Sequence, residues 1–469
     1  MTNNNKKEVI PKQVTQVAFA IILSSFAPML YSTMINIALK DLITALHTTL
    51  PLAQWGVTGY TLALTVAVPI SGWLLDHFDA KKIALISIII FGVFSLLCGF
   101  AWNISSFILF RILQGFSAGL NVTVGMSILM EVAPEGVLGR LMALITIPMI
   151  FGPIIGPVIA GLLLQIANWR WIFFIGLIFV FAAIPMIVRV VPDFQPFNPQ
   201  NKLDFVGIIL LALTAASFIF GLMQGANSSK FFNQSMLGFV GTGIFLLLIY
   251  GFWNHYKNNQ TVLPLRFFRS SHFSAAMAGM FLSAIVINGP LLLLPLFFEN
   301  INGFTPTQAA LLLIPQGIGM LLARPIVGRV IDTIGSRLVT FVSLTITLIG
   351  SIPFIFADAN TSIFWLSIVL FVRGIGVSGI QLPMMTDIYL GMKPKDIPAA
   401  SVGNQMIQNV GSSFGTAVMT AVVTAVVNIQ TKVPNSIANL HGYQMAFLVS
   451  VITIFIMIIP AIFLSHKKA

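Results

Sequence analysis

Long apolar segments alternate with short polar ones along the whole chain. About 20 mostly apolar residues are enough for a helix to cross a bilayer, so each long segment predicts a membrane span. Fourteen such segments lie at roughly 14–37, 52–75, 83–101, 105–130, 140–166, 170–190, 204–223, 235–254, 272–297, 307–328, 338–356, 361–387, 399–428 and 441–464. An even number of spans places both termini on the same side of the membrane. The pattern therefore predicts an all-α polytopic membrane protein.

Composition supports this interpretation. Hydrophobic residues make up 57% of the chain and charged residues only 8%, whereas about 25% of the residues of a soluble protein are charged. The net charge of +11 would suggest nucleic acid as a partner of a soluble protein. Here the basic residues fall mostly in short loops, so the predicted partner is the lipid bilayer and not nucleic acid. Cys98 is the only cysteine and the six histidines are scattered, which predicts neither a disulfide nor a metal site.

The distribution of lysine and arginine predicts the orientation. Segments that would be cytoplasmic with an inside N-terminus hold seventeen basic residues, and the opposite segments hold four. Three more, Arg111, Arg324 and Arg373, lie inside predicted spans. Because basic residues are enriched in cytoplasmic loops, we expect both termini to be cytoplasmic. The expected location is the bacterial cytoplasmic membrane, crossed many times, with the first apolar segment retained as a helix.

A glycine–acid–base turn occurs twice, about 250 residues apart, each time between two predicted spans. Its residues are Gly72, Asp76, Lys81 and Lys82 in the first copy and Gly328, Asp332 and Arg337 in the second. A carboxylate at the edge of a span needs a partner, and a helix N-terminus or a basic side chain of a neighbouring helix supplies one. The turns are therefore candidates for a conformational latch. The alternative is an ordinary charged turn that only sets topology.

The spacing of the two turns predicts a duplicated architecture. Each turn follows the second span of a six-span block, if the blocks cover 14–190 and 272–464. Residues 191–271 then contain two linkers and two extra spans. Both linkers are predicted to be cytoplasmic, and no region is long enough to form a separate soluble domain.

Further motifs give the chain a resemblance to a known family. Residues 111–119 (RILQGFSAG) resemble the fourth-helix motif of the major facilitator superfamily, and residues 152–161 (GPIIGPVIAG) resemble the antiporter motif of its proton-driven exporters. Residues 34–39 (MINIAL) resemble the end of the first helix in the fourteen-span drug:proton antiporters of the EmrB/QacA type. The residues of the antiporter helix implied by this resemblance are Gly152, Pro153, Gly156, Pro157 and Gly161.

The resemblance implies the fold and the activity. The fold is two six-helix halves with two additional central helices, and it works by alternating access. The implied activity is export of hydrophobic or amphipathic, often cationic, small molecules in exchange for protons, by a monomer without a cofactor. The alternative is an exporter of one endogenous metabolite or lipid-like molecule, proton-coupled or uncoupled. An enzyme is disfavoured because no cluster of catalytic side chains is visible, and no phosphate-binding GxxxxGK loop indicates a direct use of ATP.

The proton carrier is not evident, because the chain departs from the family pattern. Tyr31 stands where members of this branch usually carry an aspartate, Asp79 where the first turn has a glycine, and Gln408 where the thirteenth span has an arginine. A phenol keeps its proton at neutral pH. The candidates for proton coupling are Glu299 at the outer end of the ninth span, with Arg111 as its counter-charge, and Asp41 after the first helix. The alternative for Glu299 is an interfacial glutamate in water. A snorkelling role for Arg111 is the alternative.

Polar residues within spans predict the substrate pocket, since small-molecule sites are mostly apolar with a few polar groups. Asn404, Gln408 and Ser412 recur every four residues, which places them on one helix face. The candidate pocket residues are Tyr31, Asn36, Gln54, Gln114, Asn404 and Gln408.

Overall fold

The computed structural model describes residues 11–134, 137–145, 147–199, 204–226, 228, 231–430 and 433–465. Within these ranges, the side chains at positions 36, 40, 50, 51, 145, 147–151, 153, 154, 157 and 306 are not part of the description. The predicted pocket residue Asn36 and the antiporter-helix residues Pro153 and Pro157 therefore lie, as side chains, outside the described part. The described chain is helical and contains no strand.

Nineteen α-helices follow one another in the described residues: α1 Lys12–Ile37, α2 Leu39–Ala45, α3 Leu50–His77, α4 Ala80–Gly99, α5 Ile104–Val132, α6 Leu138–Ile145, α7 Ile147–Ile166, α8 Trp171–Ile175, α9 Leu177–Val190, α10 Phe205–Ala226, α11 Gln234–Tyr256, α12 Ser271–Asn300, α13 Pro306–Leu311, α14 Ile314–Ile334, α15 Ser336–Ser351, α16 Ile363–Tyr389, α17 Ile397–Ile429, α18 Asn435–Ile456 and α19 Ile458–Ile462. Short 3-10 turns cover Leu265–Arg269, Ile352–Ile355 and Pro394–Asp396.

Thirteen segments of the described chain are long and apolar enough to cross a membrane. They correspond to the predicted spans other than the fifth, whose place is taken by α6 and α7. This confirms the all-helical membrane architecture, and the count of fourteen stays a prediction. Several spans combine two helices in sequence, such as α8 with α9 and α13 with α14.

The helix packing repeats between the two ends of the chain. In the first part, α5 packs on α3 and α4, and α1 packs on α7 and α9. In the second part, α16 packs on α14 and α15, and α12 packs on α17 and α18. The fourth span of each block thus contacts the second and third, and the first contacts the fifth and sixth. This repetition supports the proposed partition into an N-terminal half (14–190) and a C-terminal half (272–464).

Two seams join the halves. One is formed by α3 and α5 against α17, and the other by α6 and α7 against α14. The helices α10 and α11 pair with each other, and α10 lies against α3 and α17, beside the first seam. We call the end of the bundle that carries residues 76–82 and 332–337 the turn end, and the opposite end the far end.

Candidate functional site

The second turn joins the two halves at the turn end. Asp332 lies in the last turn of α14 and is buried, with 8% of its surface exposed. Its Oδ1 accepts a hydrogen bond from the backbone N–H of Gly139 at 2.7 Å, and its Oδ2 forms an ion pair with Nε of Arg140 at 2.7 Å. Gly139 and Arg140 lie in the first turn of α6, where backbone N–H groups are free to bind an anion. Asp332 therefore fixes α14 of the C-terminal half to α6 of the N-terminal half.

A close helix contact accompanies this ion pair. Gly328 lies one turn before Asp332, and a Cβ at this position would meet the backbone O of Gly139 at 2.7 Å and the Cβ of Ala143 at 3.0 Å. Glycine is required here because α14 and α6 approach backbone to backbone. The remaining member of the second copy, Arg337, donates its backbone N–H to the O of Ser465 at 3.2 Å.

The first turn is held differently. Asp79, the departure from the family glycine, caps α4: its Oδ1 accepts from the N–H of Lys81 at 2.9 Å and from the N–H of Phe194 at 3.1 Å. Lys81 Nζ pairs with the exposed Asp193 at 3.1 Å, and Lys82 is exposed. The first turn therefore binds the linker that follows α9. Gly72 and Asp76 are both buried, and a Cβ on Gly72 would meet Val402 of α17 at 2.9 Å, across the seam.

Arg111 lies in a fully buried cluster of the N-terminal half. Its Nε donates to the O of Gly56 at 3.0 Å, its Nη1 donates to Oε1 of Gln114 at 2.7 Å, and its guanidinium lies 4.2 Å from the centre of the Tyr60 ring. The ion pairs between described residues include neither Arg111 nor Glu299 in this conformation, and their expected pairing stays a prediction. Snorkelling is excluded by the burial of Arg111.

Tyr31 belongs to the same packed interior. It is fully buried, its hydroxyl donates to the O of Phe173 at 2.5 Å, and its ring stacks on Phe91 with 5.6 Å between the centres. Gln114 is also fully buried and donates from Nε2 to Oγ of Ser95 at 2.6 Å. In this conformation both side chains join helices within one half, and their predicted place in the substrate pocket stays a prediction.

The C-terminal half contains a comparable arginine. Arg373 of α16 donates from Nη1 to Oε1 of Gln316 at 2.9 Å and from Nη2 to the O of Val286 at 2.8 Å. Its Nε reaches Oγ of Ser351 at 3.3 Å. Arg111 and Arg373 thus each tie the fourth helix of a half to its second helix. The sequence places both inside spans, but it does not indicate these partners.

Arg324 is different from both. Only 3% of its surface is exposed, yet its Nε and Nη1 have no hydrogen-bond partner among the described residues. An arginine inside a span costs about 2.5–3.5 kcal/mol or more unless it is paired or hydrated. The sequence analysis places Arg324 in a span without giving it a role.

Polar side chains line the face of α17 that meets the first seam. Gln408 donates to Asn404 at 3.1 Å and accepts from Gln381 of α16 at 3.3 Å. Asn409 donates to Oγ1 of Thr65 at 3.2 Å, which is a direct contact between the halves. The predicted polar face is thus extended by Asn409, which sequence reasoning missed because its partner is more than 300 residues away.

The antiporter helix packs on α1 through glycines. A Cβ on Gly152 would meet Cβ of Met29 at 3.0 Å, and a Cβ on Gly156 would collide with Oγ1 of Thr33. Gly161 lies near the far end, where a Cβ would meet only Oγ1 of Thr307 of α13, at 3.4 Å. These positions explain the glycines by close packing of α7 on α1 and, through Gly161, by a contact between the halves.

The remaining candidates lie toward the far end. Glu299 is half-buried in the last turn of α12, within electrostatic range of Tyr443, whose hydroxyl oxygen accepts from Nδ2 of Asn300 at 2.7 Å. Asp41 is exposed in the short α2. Gln54 is half-buried near the start of α3.

Comparison with known proteins defines the family. The sequence model of the Major Facilitator Superfamily matches residues 21–416 and 276–469. A "Multidrug resistance protein B homolog" of Mycobacterium tuberculosis (strain ATCC 25618 / H37Rv) is 30% identical over 399 residues, which cover 85% of this chain and 74% of the relative. A "Putative multidrug resistance protein MdtD" of Yersinia enterocolitica serotype O:8 / biotype 1B is 30% identical over 405 residues, 86% of this chain and 83% of the relative.

Solved structures agree on the fold. The human organic anion transporter MFSD10 (TETRAN) superposes with a TM-score of 0.65 at 13% identity, covering 95% of this chain and all of that one. The proton:xylose symporter XylE superposes with a TM-score of 0.61, also at 13% identity, covering 96% and 97%. At such identities the likeness concerns the fold alone. The resemblance seen in the sequence motifs is thereby confirmed, and the chain belongs to the major facilitator superfamily of membrane transporters.

Proposed function

We propose that the protein is a secondary active transporter that exports hydrophobic or amphipathic compounds in exchange for protons. The contact of Asp332 with the first turn of α6 carries this proposal, because it joins the two halves at one end through groups that can separate without breaking either half. Relatives named as multidrug resistance proteins support drug-like substrates.

The mechanism is alternating access between two packings of the halves. At the turn end, Asp332 contacts Gly139 and Arg140, and Oγ of Ser127 donates to Oγ of Ser401 at 3.1 Å. Opening this end requires that these contacts break while the far end closes. The two glycine–acid turns would then act as the latch, with the second copy bridging the halves and the first fixing the linker.

The substrate pocket is proposed along the polar face of α17, with Asn404 and Gln408 as its polar groups and Gln54 near its far-end rim. Glu299 is the proposed proton carrier, because it is half-buried in the last turn of α12 at the far end, whereas Asp41 is exposed there. The transporter is proposed to act as a monomer with its turn end and both termini in the cytoplasm. Reporter fusions should then label the loop at 226–235 from outside and the loop at 255–271 from inside.

Reconstituted vesicles test the function. We expect uptake of a fluorescent multidrug substrate such as ethidium, or of an anionic dye, into inverted vesicles to require an imposed pH gradient. Glu299→Gln should abolish gradient-driven uptake and leave substrate exchange without a gradient intact, since a neutral amide cannot carry the proton. Asp41→Asn is the matched control and should keep both modes.

Two results would contradict this proposal. Loss of driven uptake in Asp41→Asn but not in Glu299→Gln would move the proton to Asp41. Absence of driven uptake for every drug-like compound would favour the alternative, an exporter of one endogenous metabolite or lipid-like molecule. Incubating the same vesicles with a metabolite extract of the host cells would then identify the compound that they take up.

A further inference from the structure

Arg324 lies at the centre of α14, as its eleventh residue of 21. At a rise of 1.5 Å per residue, the Cα of Arg324 is about 15 Å from either end of this helix. The side chain is buried, and neither Nε nor Nη1 has a partner among the described residues. Buried polar groups in proteins are normally hydrogen-bonded, so each exception calls for an explanation.

Two other buried arginines within the described spans, Arg111 and Arg373, donate hydrogen bonds that connect helices. Arg111 donates to Gly56 and Gln114, and Arg373 donates to Gln316, Ser351 and Val286. Arg373 is therefore anchored by oxygens of neighbouring helices, and Arg111 by the carbonyl oxygen of Gly56 on α3 and by Gln114 of its own helix, with only its Nη2 left without a partner among the described residues. Nε and Nη1 of Arg324 have no such anchor within the described part of the chain, so hydrogen bonds between the described helices do not explain its burial in this conformation.

The position of Arg324 on its helix relates it to the seam between the halves. Gly328, one turn later, touches α6 of the N-terminal half, and Met320, one turn earlier, packs in a cluster with Val377 of α16. Residues four apart on a helix share a face. Arg324 therefore shares the face of α14 that meets α6 at Gly328, on the second seam, where alternating access would open and close a substrate path.

Among the described residues, no carboxylate pairs with Arg324 to neutralise this charge. The described acids sit in loops or within a few residues of helix ends: Asp41, Asp76, Asp79, Glu131, Asp193, Asp204, Glu299, Asp332, Asp358, Asp387 and Asp396. Asp332 shares the face of Arg324 but is two turns away, about 12 Å along the axis, and is bound to Arg140. The middle of the described spans thus carries positive charge without a matching acid.

We propose that the exported compound is an amphipathic organic anion, and that Arg324 binds its carboxylate, sulfonate or phosphate group. This inference rests on the proposed export function and names the substrate class. A guanidinium presents paired N–H donors that match the geometry of an oxyanion, and in a medium of low polarity this contact is strong. The same positive interior repels an organic cation, which is opposite to the charge expected from the family resemblance.

Ligand binding to the purified protein tests this inference independently of proton coupling. The protein is placed in nanodiscs of phosphatidylcholine, which has no net charge, and its thermal unfolding is followed with two probes of the same aromatic body, pyrenebutyrate and pyrenebutyltrimethylammonium. A ligand that binds only the folded state raises the unfolding temperature by an amount that increases with the logarithm of its concentration divided by its Kd. We expect the anion to bind at least tenfold more tightly than the cation.

Variants at position 324 test whether Arg324 is the residue that binds the anionic probe. Arg324→Gln should weaken binding of the anion at least tenfold and remove the preference for the anion, while Arg324→Lys should retain part of it. Arg329→Gln removes an exposed arginine of the same helix and should leave both affinities unchanged. Arg324→Lys also keeps the test valid if Arg324→Gln does not fold, because a retained preference at reduced affinity requires a positive charge at this position.

Equal or tighter binding of the cation would overturn the inference, as would binding of the anion that is unchanged in Arg324→Gln. Stabilisation that appears only when phosphatidylglycerol replaces phosphatidylcholine, without any probe, would assign Arg324 to a lipid phosphate and also overturn it. The proposed function is judged separately: pH-driven export of any compound in the vesicle assay preserves it when the inference fails, and absence of export removes both.

Discussion

At the scale of single residues, the same side chain takes different roles according to its partners. Arg111 and Arg373 are buried and fixed to neighbouring helices, while Arg324 is buried without a partner among the described residues. The sequence places all three inside spans, because their positions within apolar segments are visible there. It cannot distinguish them, because Gly56 and Gln316 are reached only through the tertiary fold.

Replacement of Arg111 separates anchoring from proton coupling. We expect Arg111→Gln to lower the free energy of unfolding by about 2 kcal/mol, since hydrogen bonds to a charged group contribute roughly 1.5–3 kcal/mol, and to reduce driven transport and exchange equally. Thermal unfolding of the purified protein and vesicle transport measure these effects, with the exposed Arg329→Gln as control. Unchanged stability together with selective loss of driven transport would instead assign Arg111 to proton coupling.

At the scale of helices, the apolar pattern predicts the elements well and their contacts poorly. Helix α4 begins where Asp79 caps it, and Asp79 also binds the N–H of Phe194, 115 residues away. The sequence identifies Asp79 as a departure from the family glycine but not as an anchor for the linker. The sequence identifies the glycines of α7 only as part of the antiporter motif, and the structure adds that Gly152 and Gly156 pack on α1.

The packing of α7 on α1 can be tested with one methyl group. In Gly156→Ala the new Cβ would collide with Oγ1 of Thr33, whose hydroxyl donates to the O of Gly152 at 3.1 Å. Overpacking of this kind typically costs about 1–3 kcal/mol, so the unfolding temperature should fall. Gly161→Ala is the control, because its Cβ would meet only Thr307, at an ordinary 3.4 Å. Equal stability of the two variants would show that α7 is not tightly packed on α1 at Gly156.

At the scale of the whole molecule, the sequence predicts the duplication but not the contacts that hold the two halves together. Two glycine–acid turns predict two equivalent blocks, and the repeated helix contacts follow that pattern. The partners of Asp332 cannot be predicted in this way, because Gly139 and Arg140 lie more than 190 residues earlier and become neighbours only when the halves pack together. The two copies of the turn also differ: one binds the opposite half and the other binds a linker.

The latch can be tested through the contact between Ser127 of α5 and Ser401 of α17, whose hydroxyl oxygens lie 3.1 Å apart across the halves at the turn end. Since Cys98 is the only cysteine, Ser127→Cys and Ser401→Cys in a Cys98→Ala background give one possible disulfide, and side chains this close are compatible with disulfide geometry. We expect rapid cross-linking that stops transport until a reductant is added.

Adding Asp332→Asn should slow cross-linking about tenfold, which corresponds to a shift of about 1.4 kcal/mol toward the state open at the turn end. Arg329→Gln, which removes an exposed charge from the same helix, is the control. Cross-linking at the same rate with and without Asp332 would mean that this carboxylate does not hold the halves together.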